Sequence, residues 1–225
     1  MFERGDDSWT ARAVMLDAPR VEVYFLTLKT FLTGDPNNPA HFDDPAHNMA
    51  LATALPEGFL RLADFAAEGD HVIAHYREVA TLAARHAKPF DHVRQHFWMR
   101  LTIGAGEQGL GFPWYDTWRE FDRLLAWIET ATEGERFDDI DQVWDIAILR
   151  AGDSFLARET DTEGEEYAIF RLPAAPLIAS ARQARRDGPA AIARLKAMLG
   201  TDVWTAYRYD GDAVKFGTAD WTPAP

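Results

Sequence analysis

Three apolar runs, at residues 142–150, 154–159 and 165–172, constrain this chain more than any other feature. The turn signals between them, Ala151-Gly152-Asp153 and Thr160 to Gly164, leave room only for an antiparallel meander. The same region is the most acidic part of the chain. Residues 129 to 166 hold thirteen carboxylates against three arginines, a net −10 of the chain's −13. Strands would hold many of these charges on one rigid surface, and a rigid anionic face attracts basic partners.

The remaining sequence predicts an α+β fold, a mostly antiparallel sheet with helices packed on one face. Trp9 to Leu16 and Val21 to Leu32 read as a hairpin about Asp17-Ala18-Pro19-Arg20. Residues 33–48, rich in Pro, Asn and Asp, read as a loop. Two helices are expected at 57–67 and 69–86. The second carries Val72, Ile73, Tyr76, Val79, Ala80 and Ala83 at three- and four-residue spacing. A strand from Val93 to Ile103 and a helix opened by Thr117-Trp118-Arg119-Glu120 come next. After the meander, one helix should stop near Asp187-Gly188, a second should run from Pro189 to Gly200, and a short hairpin should close the chain at 203–216. At 225 residues the whole, 1–225, fits one composite domain. A soft internal boundary is expected near Glu133-Gly134-Glu135, between an N-terminal hairpin and helical half and a C-terminal meander and helix half.

Composition removes several function classes. With no cysteine there is no disulfide framework, thiolate nucleophile or Cys-ligated metal. A net charge of −13 argues against nucleic acid, whose phosphates call for clustered Lys and Arg. The opening Met1-Phe2-Glu3-Arg4-Gly5-Asp6-Asp7 lacks the layout of a secretory signal. No uncharged apolar run approaches the about 18 residues of a membrane span, so no membrane association and a cytoplasmic location are the expectation.

Two short motifs have chemistry attached to them elsewhere. Gly104-Ala105-Gly106-Glu107-Gln108-Gly109 has the G-x-G-x-x-G spacing of a dinucleotide-binding turn, but Leu110-Gly111-Phe112-Pro113 follows where the helix should begin, so the reading is a loop. Gly152-Asp153-Ser154 resembles the nucleophile block of the GDSL or SGNH esterases and lipases over these three residues. The resemblance implies a serine nucleophile and a late Asp-x-x-His base. This chain has no histidine after His96, so a hairpin turn is the expectation there.

All seven histidines lie between residues 41 and 96. His71, His75 and Glu78 fall on one side of the second helix, at a spacing that can hold Zn²⁺ with a position open to water. His41, Asp43, Asp44 and His47, or His92 and His96, could supply a further ligand. Adjacent carboxylates such as Asp138-Asp139 and Glu165-Glu166 point to opposite faces of a strand and cannot share one substrate.

Three functional readings follow. The first is a non-enzymatic protein-binding module whose acidic sheet face takes a basic protein partner, comparable in charge alone to immunity proteins and antitoxins. Its contact residues would be Asp138, Asp139, Asp141, Glu159, Asp161, Glu163, Glu165 and Glu166, with Trp144 and Tyr167 as candidate aromatic anchors. The second is a metal-dependent hydrolase built on His71, His75 and Glu78. The third gives the charge no role beyond solubility.

Overall fold

The computed structural model describes residues 8–34, 46–49, 58–86, 88–141, 144–161 and 164–207. Chain order runs β1 (Val14–Met15), β2 (Arg20–Leu26), β3 (Thr30–Leu32), β4 (Ala46–Asn48), β5 (Phe59–Arg61), α1 (Phe65–Arg85), β6 (Met99–Ala105) and β7 (Gln108–Gly111). It continues with α2 (Trp118–Thr130), β8 (Arg136–Asp141), β9 (Trp144–Ala151), β10 (Ser154–Asp161), β11 (Glu166–Pro173) and α3 (Ala174–Leu199). The class is α+β with mostly antiparallel sheets. No helix among the described residues is long and apolar enough to cross a membrane.

The chain divides into two compact units. The first comprises Met1–Glu22, Leu101–Tyr115 and Glu120–Arg186, the second Val23–Arg100, Asp116–Arg119 and Asp187–Pro225. The turn at 133–135, expected as a soft boundary, lies inside the first unit.

The first unit is built on a five-stranded sheet in the order β1-β11-β10-β9-β8. The β9–β10–β11 meander forms as its punctuation predicts, with Ala151 opposite Ser154 across a two-residue turn in which Gly152 takes φ +58°. β8 is an added edge strand. Its sequence Arg-Phe-Asp-Asp-Ile-Asp supplies few apolar residues, so pairing with β9 rather than propensity defines it. β1 joins β11 in parallel instead of forming a hairpin with β2, and Trp9 to Arg12 lie in a 3-10 turn. Trp9 is buried with Ala147 and Leu156 on one sheet face. The other face packs on α2, where the Trp127 ring lies 5.4 Å from Phe137 and 5.6 Å from Phe155. Phe121, Leu124, Leu125 and Ile128 of α2 are fully buried, each contributing roughly 1.5–3 kcal/mol of apolar burial.

The glycine-rich segment is the β6–β7 hairpin, as a loop reading requires. Gly104 faces Gly109, and a Cβ on Gly104 would stand 2.2 Å from the Gln108 carbonyl oxygen, so close backbone approach is the reason for glycine there. Ser154 is buried at the start of β10, its hydroxyl 3.1 Å from an Asp153 carboxylate oxygen.

In the second unit a single helix, α1, replaces the two expected. Residues 59–61 pair as β5 with β2, and 62–64 form a 3-10 turn. The predicted stripe Val72, Ile73, Tyr76, Val79, Ala80 and Ala83 is buried. The expected strand from Val93 begins only at Met99, because 90–92 and 94–97 coil into 3-10 turns. The two C-terminal helices are one. α3 runs through Pro189, whose ring costs a helix interior about 3 kcal/mol, and buried residues on both flanks offset it: Ala181 and Ala184 before, Ile192, Leu195 and Leu199 after. At Gly188 a Cβ would meet the Trp118 ring at 2.1 Å, so the glycine is a packing requirement and not a stop. Residues 203–206 are bends, not a strand, and the rest of the predicted closing hairpin lies outside the described residues.

Candidate functional site

The register of the five-stranded sheet sorts the acidic segment into two faces. Asp139 lies opposite Ile146, which lies opposite Glu159; Asp141 lies opposite Trp144, which lies opposite Asp161. Side chains alternate along a strand, so these two rows share one face, the α2 side. With strands about 4.8 Å apart, Asp139 and Glu159 stand roughly 10 Å from each other, too far to share one proton. Asp138 points the other way, its carboxylate 2.7 Å from Arg136 Nε.

Each carboxylate has its own setting. Asp139 accepts a hydrogen bond from the Tyr115 hydroxyl and lies 3.5 Å from Arg123 Nη2. Tyr115 is buried, and burial first and Asp139 second push its pKa far above the ordinary phenol range, so it stays a donor. Glu159 is half-buried. Burial raises its pKa, and the backbone N–H of Gly111 offsets part of the rise. Asp161 accepts from the Tyr167 hydroxyl at 3.1 Å and from the Glu165 N–H at 2.8 Å, tying down the hairpin end. Asp141 and Glu165 are exposed and meet no cationic side chain among the described residues. Glu166 is held bidentately by Arg12 at 2.7 and 2.9 Å. Glu163 lies outside the described residues.

A bulge completes the face. Pairing jumps from Glu159 opposite Ala168 to Thr160 opposite Glu166, which leaves Tyr167 without an opposite residue. Bulges re-aim side chains. Here Tyr167, 52% exposed, leans on Trp144 with ring centroids 5.3 Å apart, between Asp141 and Asp161. The face therefore combines four carboxylates with an exposed Tyr167 resting on a half-buried Trp144. Tyr115, Arg123 and the Gly111 N–H are its unforeseen members. Their distance in sequence from β8 and β10 hid them, and no local pattern marks them.

The histidine cluster resolves differently. On α1, His71 is exposed, Glu78 half-buried and His75 completely buried, so the helical spacing does not bring the three to one accessible point. Among the described residues no group of three His, Asp or Glu could hold a metal ion. His92 is half-buried on a 3-10 turn, while His96 on the next is buried and stacks near Phe31 at 5.5 Å. His86 is exposed beside the same ring at 6.3 Å, and His47 pairs with Phe31 across β3–β4. His41, Asp43 and Asp44 lie outside the described residues. Burial lowers the pKa values of both His75 and His96 to about 4, and at His75 an electrostatic effect of His96 adds to it.

The fold and these two sites define an α+β protein with a carboxylate-bearing sheet face in one unit and buried imidazoles in the other. Comparison with family models, curated proteins and solved structures finds no match.

Proposed function

We propose that this chain is a non-enzymatic binding protein that docks a basic protein partner on the sheet face carrying Asp139, Asp141, Glu159 and Asp161. The observation that carries the reading is the register. It gathers these four carboxylates on one face with Trp144 and the bulged Tyr167. Carboxylates on a rigid sheet steer a cationic surface and discriminate against acidic competitors, while the exposed Tyr167 ring, with half-buried Trp144 behind it, supplies apolar contact area. An arginine from the partner would find carboxylate oxygens beside Trp144 and Tyr167, the combination that favours guanidinium binding by hydrogen bonds and ring stacking. Asp138, behind the sheet, and Glu166, held by Arg12, contribute field more than contact.

The test is capture of partners from native lysate at about 0.05 and 0.5 M salt, where screening separates steered from apolar binding. Partners should be basic and lost at high salt. An Asp141→Lys/Asp161→Lys variant should lose them while a charge-matched Glu68→Lys/Glu107→Lys control keeps them. Retention of every partner by both variants would contradict the reading.

A further inference from the structure

The five-stranded sheet ends at β8, and among the described residues no strand lies beyond it. Its outer side is an open edge. At six residues β8 is also longer than the other edges of the larger sheets, two residues in β1, three in β5 and four in β7.

The phase of the ladder decides which backbone groups face outward. The Glu135 carbonyl accepts from the Arg150 N–H at 2.9 Å, so the pairs that exchange hydrogen bonds are, stepping by two, Phe137 with Ile148, Asp139 with Ile146 and Asp141 with Trp144. The N–H and C=O of Asp138 and Ile140 therefore point away from β9. Both residues are exposed, Ile140 at 50%. An open row of donors and acceptors of this kind is a template for another strand.

Charge decides which strand can use it. Asp139 and Asp141 stand on the α2 face and Asp138 on the other, where it holds Arg136, the one basic residue of β8, at 2.7 Å. A second copy of the chain fits badly. Twofold pairing of β8 with itself keeps the faces of the sheet distinct only if residues of like parity meet, and the two registers that overlap most of the strand set Asp138 on Asp138 or Asp139 on Asp139. Like charges directly opposed destabilise a sheet, so this edge resists its own kind and any acidic strand. A strand with basic side chains at alternate positions meets the reverse condition. Such side chains would face Asp139 and Asp141 across one strand spacing of about 4.8 Å, and Asp141 has no cationic neighbour among the described residues.

We propose that β8 takes an extended basic segment of the partner protein as a further antiparallel strand, a reading that rests on recognition of a basic partner by the acidic face. Main-chain hydrogen bonds to Asp138 and Ile140 supply affinity, and alternate side chains select the sign of charge.

The probe is a short peptide of alternating threonine and arginine, added to wild-type protein at about 0.05 M salt, where exposed charges are weakly screened. In the antiparallel pairing its arginines face Asp139 and Asp141 and turn their own N–H groups away from β8, while its threonines donate to β8. Methylating the threonine N–H groups should weaken binding about tenfold or more, and methylating the arginine N–H groups should leave it within about twofold. Hydrogen exchange at the Asp138 and Ile140 amides, fast in the free protein, should slow when the unmethylated peptide saturates it. Unchanged exchange there, equal effects of the two methylations, or loss on arginine methylation alone overturns the added strand. If both methylated peptides still bind and Asp141→Lys/Asp161→Lys abolishes that binding, the acidic face recognises charge without backbone pairing, so this inference fails and the proposed function stands. No binding of the unmethylated peptide also overturns the added strand, and salt-sensitive capture of folded partners then decides the acidic face by itself.

Discussion

The sheet face of the first unit and the aromatic interior of the second both concentrate polar side chains, and they handle them in opposite ways. On the sheet, several carboxylates are partnered, Asp139 by Tyr115 and Arg123, Asp161 by Tyr167 and Glu166 by Arg12, while Asp141 and Glu165 stay exposed. In the second unit His75 and His96 are buried and held neutral, and both ring nitrogens of His75 lack a hydrogen-bond partner among the described residues. The difference follows from the cost of desolvation. A carboxylate moved into an interior costs far more than an imidazole, which can shed its proton and remain. The carboxylates of the sheet therefore stay near solvent, whereas of the histidines only His75 and His96 turn fully inward while His71 and His86 remain exposed.

The largest expected effect separates the two regions by pH. His75 and His96 have folded-state pKa values lowered to about 4, against an ordinary 6.5. The unfolded chain thus binds more protons between those limits, and stability falls as pH drops through that window, by roughly 3 kcal/mol per imidazole. Denaturant unfolding at pH 8, 6, 5 and 4 should show this loss, with ring protons of the second unit reporting it first. A flat profile across the window would mean that the imidazoles are not buried and neutral.

Tyr115→Phe should come next. It removes the donor from Asp139 and leaves a part-buried carboxylate without its hydroxyl, for a destabilisation of about 1–3 kcal/mol in the first unit. The shift in denaturation midpoint measures it, and no shift would place Asp139 in open solvent.

Much of the contrast was legible in the sequence, though unevenly. The meander, the amphipathic stripe of α1 and the helix after Thr117 follow from local periodicity and punctuation, and the opposite orientation of Asp138 and Asp139 follows from the pleat. What was not legible depends on partners far along the chain. β8 exists by pairing, β1 finds β11 across more than 150 residues, and α3 passes Pro189 because apolar flanks are buried on both sides. The spacing of His71, His75 and Glu78 indicates a shared side of a helix, but only packing decides that His75 turns inward while His71 stays in solvent. For the same reason nothing local ties Tyr115 to Asp139.

Two smaller effects sharpen the comparison. Burial raises the Glu159 pKa, so its ionised form is disfavoured in the fold. Glu159→Gln should stabilise the protein at pH 7, and the gain should shrink as pH falls through the carboxylate range and the wild-type side chain becomes protonated. Equal stabilisation at pH 7 and pH 3 would assign the gain to something other than charge. Arg12→Ala, at an exposed ion pair with Glu166, should leave the denaturation midpoint unchanged within error, because solvent screens such pairs.

The proposed role of the acidic face as one recognition surface has a direct test. It is titration of ¹⁵N-labelled protein with a short arginine-rich peptide at low salt. Recognition by this face should give saturable shifts in β8–β11 amides and in the Trp144 indole, abolished by Asp141→Lys/Asp161→Lys. Shifts scattered over every carboxylate-bearing segment, or unchanged in that variant, would contradict it.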